Sequence, residues 1–184
     1  MPGVQNIIMN KRLDNAERSI LTVRERLAKY GLQVDYRRYF EEKLQVPLME
    51  VHGLSEVETE EQRELLQKLF IRHLTGRYSN DAFYPSFIAI IKTLTPLEIR
   101  LLQRSYEYLK ERKLWYTDQT EYEPIELPLQ AMKQELGITN IEIEAVIKNL
   151  ERNCLLFSGG GDGMYLTALG ILFINACIRD ALTE

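Results

Sequence analysis

Tyr84-Pro85-Ser86-Phe87-Ile88-Ala89-Ile90-Ile91-Lys92-Thr93-Leu94-Thr95-Pro96-Leu97-Glu98 joins two helix starts through a single stop. Pro85 suits a first helical turn, because its ring fixes φ and its missing N–H falls where no intrahelical partner exists. Thr95 offers an oxygen to the amides of the next first turn, Pro96 fits that turn, and Glu98 reaches back to close a capping box. The first of the two helices carries Phe87, Ile88, Ile90, Ile91 and Leu94, apolar on nearly every side, the pattern of a helix at the centre of a core. The second runs to about Lys113 and turns Ile99, Leu102, Tyr106 and Leu109 inward.

Downstream of this junction the pattern reads helix, helix, strand, turn, strand. Pro128 to Leu136 forms a short helix closed by Gly137, a residue suited to the left-handed position after a helix end. Thr139-Asn140-Ile141-Glu142 is a second capping box and opens a helix through Ile143, Val146, Ile147 and Leu150. Cys154 to Phe157 and Met164 to Thr167 are apolar runs around Ser158-Gly159-Gly160-Gly161-Asp162-Gly163, an antiparallel hairpin with a glycine-rich turn. Thr167 caps a last helix through Leu169, Leu172, Phe173 and Ala176. This order is that of a winged helix.

Upstream, Leu13, Ala16, Ile20, Val23, Leu27 and Tyr30 follow three-four spacing on a helix stopped by Gly31. Such a stripe either docks on the rest of the chain or pairs with a second copy, since its narrowness resembles a coiled-coil seam. Val34 to Leu44 interleaves Arg37 and Arg38 with Tyr36, Tyr39 and Phe40 before Glu41 and Glu42. Basic residues among aromatics can grip nucleic acid, whereas the glutamates fit a connector with internally paired charges. Pro47 to Val57 reads as a short helix. Thr59-Glu60-Glu61-Gln62 is a third capping box, opening a helix through Leu65, Leu66, Leu69, Phe70 and Leu74.

The chain has 184 residues, 45% hydrophobic and 27% charged, with a formal net charge of −4. That length holds one domain or two small ones. The acid excess does not favour non-specific attraction to polyanions. No apolar run reaches the ~20 residues of a membrane span, and the first residues lack the apolar core of a signal peptide. Cys154 and Cys177 lie in apolar surroundings and read as buried thiols of a cytoplasmic protein.

No catalytic residue, metal ligand or cofactor-binding residue can be assigned. His52 and His73 have no partner at zinc-ligand spacing. The glycine cluster leads into a strand rather than a helix, which is a hairpin context and not a phosphate loop. Ser86 lacks the flanking glycines of a nucleophile elbow. What remains is surface. Glu142, Lys148, Asn149 and Arg152 on the helix from Ile141, with Arg37 and Arg38, are the candidate partner-binding residues. Glu142, Glu144 and Glu151 against Lys148 and Arg152 make a poor face for DNA, whose affinity rests on phosphate contacts, and the wing carries no Lys or Arg.

The run Glu60-Glu61-Gln62-Arg63-Glu64-Leu65-Leu66-Gln67-Lys68-Leu69-Phe70, together with Tyr84-Pro85-Ser86-Phe87-Ile88 and Leu94-Thr95-Pro96-Leu97-Glu98, resembles the bacterial abortive-infection alpha family. Tyr165-Leu166-Thr167-Ala168-Leu169-Gly170 and Phe173-Ile174-Asn175-Ala176-Cys177 fit the same pattern, so the resemblance spans about Pro47 to Cys177. It implies a role in defence against bacteriophage and supplies no catalytic residue. The expectation is a mainly α protein, a helical part over residues 1–94 packed on a winged-helix part with a small β-hairpin over 95–184. Its expected function is a non-enzymatic interaction module without cofactor, binding a protein partner through its helical and winged-helix surfaces or a second copy through the helix 13–30. The alternative is a winged-helix regulator that binds DNA.

Overall fold

The computed structural model describes residues 2–32, 52–75, 81–112, 124–159 and 163–180. It is mainly helical, with one small antiparallel sheet, and divides into two units, Met1–Leu94 with Asp180–Glu184 and Thr95–Arg179. Arg37 and Arg38, and the segment around Leu114 to Thr117, lie outside the described residues.

In the first unit, α1 (Pro2–Lys29) is followed by a short α2 (52–56), α3 (Glu60–Leu74), a 3-10 turn (Asp81–Phe83) and α4 (Tyr84–Thr93). α1 and α4 both pack on α3. The stripe on α1 is only partly consumed: Ala16, Ser19, Val23 and Leu27 are buried, whereas Leu13 and Tyr30 are exposed. The most apolar helix is not the best enclosed one. On α4, Tyr84, Phe87, Ile88, Ile90 and Ile91 are buried, but Pro85, Ser86, Ala89, Lys92 and Thr93 face solvent. α3 buries residues all round, Gln62, Arg63, Gln67, Arg72 and His73 among them. α1 and α4 cover much of it while Glu60 stays exposed, and several of its buried polar side chains are bonded. Gln62 Nε2 donates to Leu94 O at 2.9 Å and Lys92 O at 3.3 Å, Arg63 pairs with Glu60, and Arg72 Nη2 donates to Asp180 O at 3.1 Å. His73 lies with its ring 4.8 Å from that of Tyr84.

In the second unit the order is α5 (Pro96–Glu111), β1 (Ile125–Leu127), α6 (Leu129–Leu136), α7 (Asn140–Arg152), β2 (Leu156–Ser158), β3 (Met164–Leu166) and α8 (Ala168–Phe173). α8 runs on into a π-helical turn, Ile174–Ile178, which packs on α5. The expected hairpin is present, with Leu156 opposite Leu166 and Phe157 opposite Tyr165. The hairpin alone is an incomplete account: β1 pairs antiparallel on the other side of β3, giving a three-stranded sheet in the order β1-β3-β2. A three-residue strand after an acidic run has too little alternation to be read from sequence, and forms because β3 offers it an edge.

Two expectations about Cys154 are corrected. It is neither buried nor in the strand; it is exposed, at φ 57°, in the turn that ends α7. Leu155 N donates to Leu150 O at 2.9 Å and Cys154 N to Glu151 O at 2.9 Å, a helix stop that needs a left-handed residue at this position. Thr167 holds that turn from outside, its hydroxyl donating to Cys154 O at 2.6 Å while capping Gly170 N at 2.8 Å. A β-carbon on Gly170 would lie 2.1 Å from Leu155 O, so only glycine allows α8 this close to the turn.

Candidate functional site

α7 builds one exposed face of the second unit. Ile143, Val146 and Leu150 point into the core at three-four spacing, which fixes what points out. The outward stripe is Ile141, Ala145, Lys148 and Arg152, all exposed, with Glu144 at its flank. Ile141 is 82% exposed, an extreme value for an aliphatic side chain.

The candidate residues do not share one role. Glu142 is a capping residue: its carboxylate accepts from Thr139 N at 2.9 Å and Thr139 Oγ1 at 2.7 Å. The backbone N–H of Thr139, and then its hydroxyl, hold the Glu142 carboxyl below the usual range. Asn149 is turned inward, its Nδ2 donating at 2.7 Å to Glu98 Oε1 at the start of α5. Glu98 is 4% exposed and also accepts from Thr95 N at 2.7 Å, so Asn149 ties α7 to the cap of α5. Glu151 accepts from Ser158 N at 2.9 Å and from the Ser158 hydroxyl, tying α7 to β2. Lys148 and Arg152 alone among the candidates are exposed without hydrogen bond or ion pair among the described residues. Two of the three glutamates of this face have their carboxylates engaged locally by neutral donors, so they keep their charge but are fixed in place.

Beside the stripe runs an open groove of about 410 Å³, floored by Leu129, Ile143, Ile147 and Met164, with Lys148 and Glu144 on its lip. The hairpin forms its far wall. Ser158 and Met164 line it there, whereas the rings of Phe157 and Tyr165, at the alternate strand positions, stack at 5.2 Å outside the groove, and the Tyr165 ring covers Gly159 and Gly163 so closely that a β-carbon on either would fall within 3 Å of it. The glycines on both sides of the turn therefore seat an aromatic pair. Elsewhere in the unit, Arg104 gathers Glu107 at 3.1 Å, Glu111 at 3.4 Å and Glu135, which binds α5 to α6 and lowers the Glu135 carboxyl from its ordinary value. Among the described residues no group of three or more His, Cys, Asp or Glu could hold a metal ion, and no helix is long and apolar enough to cross a membrane.

A family model, abortive infection alpha, matches residues 13–159. The chain belongs to the abortive infection alpha family. The matched stretch begins inside α1 and ends just after β2, so it takes in the packed half of α1, which the motif resemblance alone had left out, and stops short of β3 and α8. No curated protein and no solved structure is detectably similar to the chain. For this family member, then, the α7 face rests on its own geometry.

Proposed function

We propose that this abortive infection alpha protein is a non-enzymatic interaction module of phage defence, and that its second unit is a winged helix presenting α7 to a protein partner. The order α5-β1-α6-α7-β2-β3 and the strand order β1-β3-β2 support the winged-helix reading. The observation that carries the functional reading is the outward stripe of α7, where a bare Ile141 stands in line with Lys148 and Arg152, two cations unpaired among the described residues. An exposed aliphatic residue beside charges suits a protein interface, in which an apolar anchor is buried and the rim stays polar.

The DNA-binding regulator is the second reading, favoured by the same two cations. Phosphate contacts supply most of the affinity for DNA, and Lys148 and Arg152 are few for that purpose. The two readings part on one residue. Ile141→Asp should abolish protection in a phage-challenge assay and co-purification of a host or phage protein, leaving the circular dichroism unchanged. Full protection by Ile141→Asp, or a sequence-selective shift of duplex DNA at physiological salt that Lys148→Glu removes, would reject the protein-binding reading.

A further inference from the structure

On α1, Asn6, Met9, Leu13, Ala16, Ile20, Val23 and Leu27 recur at alternating steps of three and four, a coiled-coil register with Asn6, Leu13, Ile20 and Leu27 at a and the others at d. Burial divides this seam in two. Ala16, Val23 and Leu27 are buried within the first unit, while Met9 is 60% and Leu13 61% exposed and Ile20 lies between. Length explains the division. The 28 residues of α1 span about 42 Å at 1.5 Å per residue, and the 15 residues of its packing partner α3 about 22 Å. The start of α1 thus overhangs its support with the seam unfinished.

An overhang of this kind needs a contact to stay helical, since an isolated stretch of about 12 residues is marginal in water and this one has no acid in its first turn. We propose that the overhang of α1 pairs in parallel with the same segment of a second copy of this chain. The seam is self-complementary. Met9 and Leu13 would meet their own images, and Asn6 sits at an a position, where a polar residue sets register and favours two parallel strands. At the borders, Arg12 at g and Glu17 at e have the five-residue offset of an interhelical pair. Glu17 is exposed without an ion pair among the described residues. Arg12 approaches Glu56 at 3.8 Å through one terminal nitrogen, and its side chain stays half exposed. Leu21, on the other side of the helix, is no part of the seam.

Sedimentation velocity of the full chain over a wide concentration range tests this. Wild type should show a concentration-dependent dimer, weakened at least ~10-fold by Leu13→Glu and unaffected by Leu21→Glu. Should Leu13→Glu lose helical circular dichroism, Met9→Lys is read in its place. Orientation has its own readout: Asn6→Cys with Cys154→Ser should form an intermolecular disulfide under mild oxidation, and Leu13→Glu should prevent it. A wild type that stays monomeric, a dimer indifferent to both seam charges, or one equally broken by Leu21→Glu would overturn the proposal. So would a monomer that instead floats with anionic lipid vesicles.

Discussion

Thr59-Glu60-Glu61-Gln62 and Thr139-Asn140-Ile141-Glu142 are the same device in two places. Each opens a helix, each threonine oxygen accepts from the third amide, and each third side chain reaches back to the threonine N–H. Their surroundings differ. Gln62 is 6% exposed, takes the N–H groups of Glu58 and Thr59 on its oxygen, and sends its Nε2 on to the end of α4. Glu142 stands in solvent and its reach ends at Thr139. The third box, Thr95 to Glu98, resembles the buried one, since Glu98 goes on to Asn149. A capping box is therefore a local start signal that burial can extend into a tertiary tie.

Gln62→Ala should have the largest effect. It removes a cap and strands Leu94 O and two backbone N–H groups near the core, for a loss of about 2–3 kcal/mol in chemical denaturation. Glu142→Ala, the same deletion in solvent, should shift the midpoint far less; equal shifts would break the comparison. Next comes the Glu98–Asn149 tie. A double-mutant cycle with Glu98→Ala and Asn149→Ala should return a coupling of about 1 kcal/mol, and additive losses would mean that Glu98 acts only as a cap.

The end of α7 adds a further test: its cap Asn153, at φ −81°, matches Thr75 at the end of α3, at φ −87°, and the next residue, Cys154, turns the chain at φ 57°. Cys154→Gly should raise stability by about 1 kcal/mol, because a β-carbon is disfavoured in the left-handed region. No gain would imply that the Thr167 bond already offsets that strain. The smallest effect is electrostatic. With its carboxyl held low in the folded state, Glu142 contributes stability above its unfolded pKa and loses it as pH falls through the folded one. Thr139→Ala should raise the Glu142 carboxyl in an NMR titration, and should leave Glu98 capped by Thr95 as before.

Helix starts were legible because Thr, Pro and Glu act on amides within four residues of themselves, and all three boxes lie where the sequence puts them. Gly137 likewise reads as a helix end and adopts φ 65°. The candidate site was legible only as a helix. Glu142 is exposed and closes the cap that its Thr-x-x-Glu spacing announced, whereas Asn149, read as a surface group, binds a carboxylate 51 positions earlier in the chain. Nothing in the local sequence pointed Asn149 at Glu98.

By itself the sequence determined where the capped helices begin, that a hairpin forms, and the family to which the chain belongs, since each rests on short-range chemistry or on residue order; it did not show that α1 begins at Pro2 rather than near Leu13. The tertiary structure alone decided that α3 buries more of its residues than the more apolar α4, that Ile125–Leu127 becomes a strand, and that the α1 seam is buried at Ala16, Val23 and Leu27 but not before them. Those outcomes depend on which surfaces meet and how far each neighbour reaches. Hydrophobicity is carried by a residue, but burial belongs to a pair of elements, and helix length set against helix length is not written in any one stretch of chain.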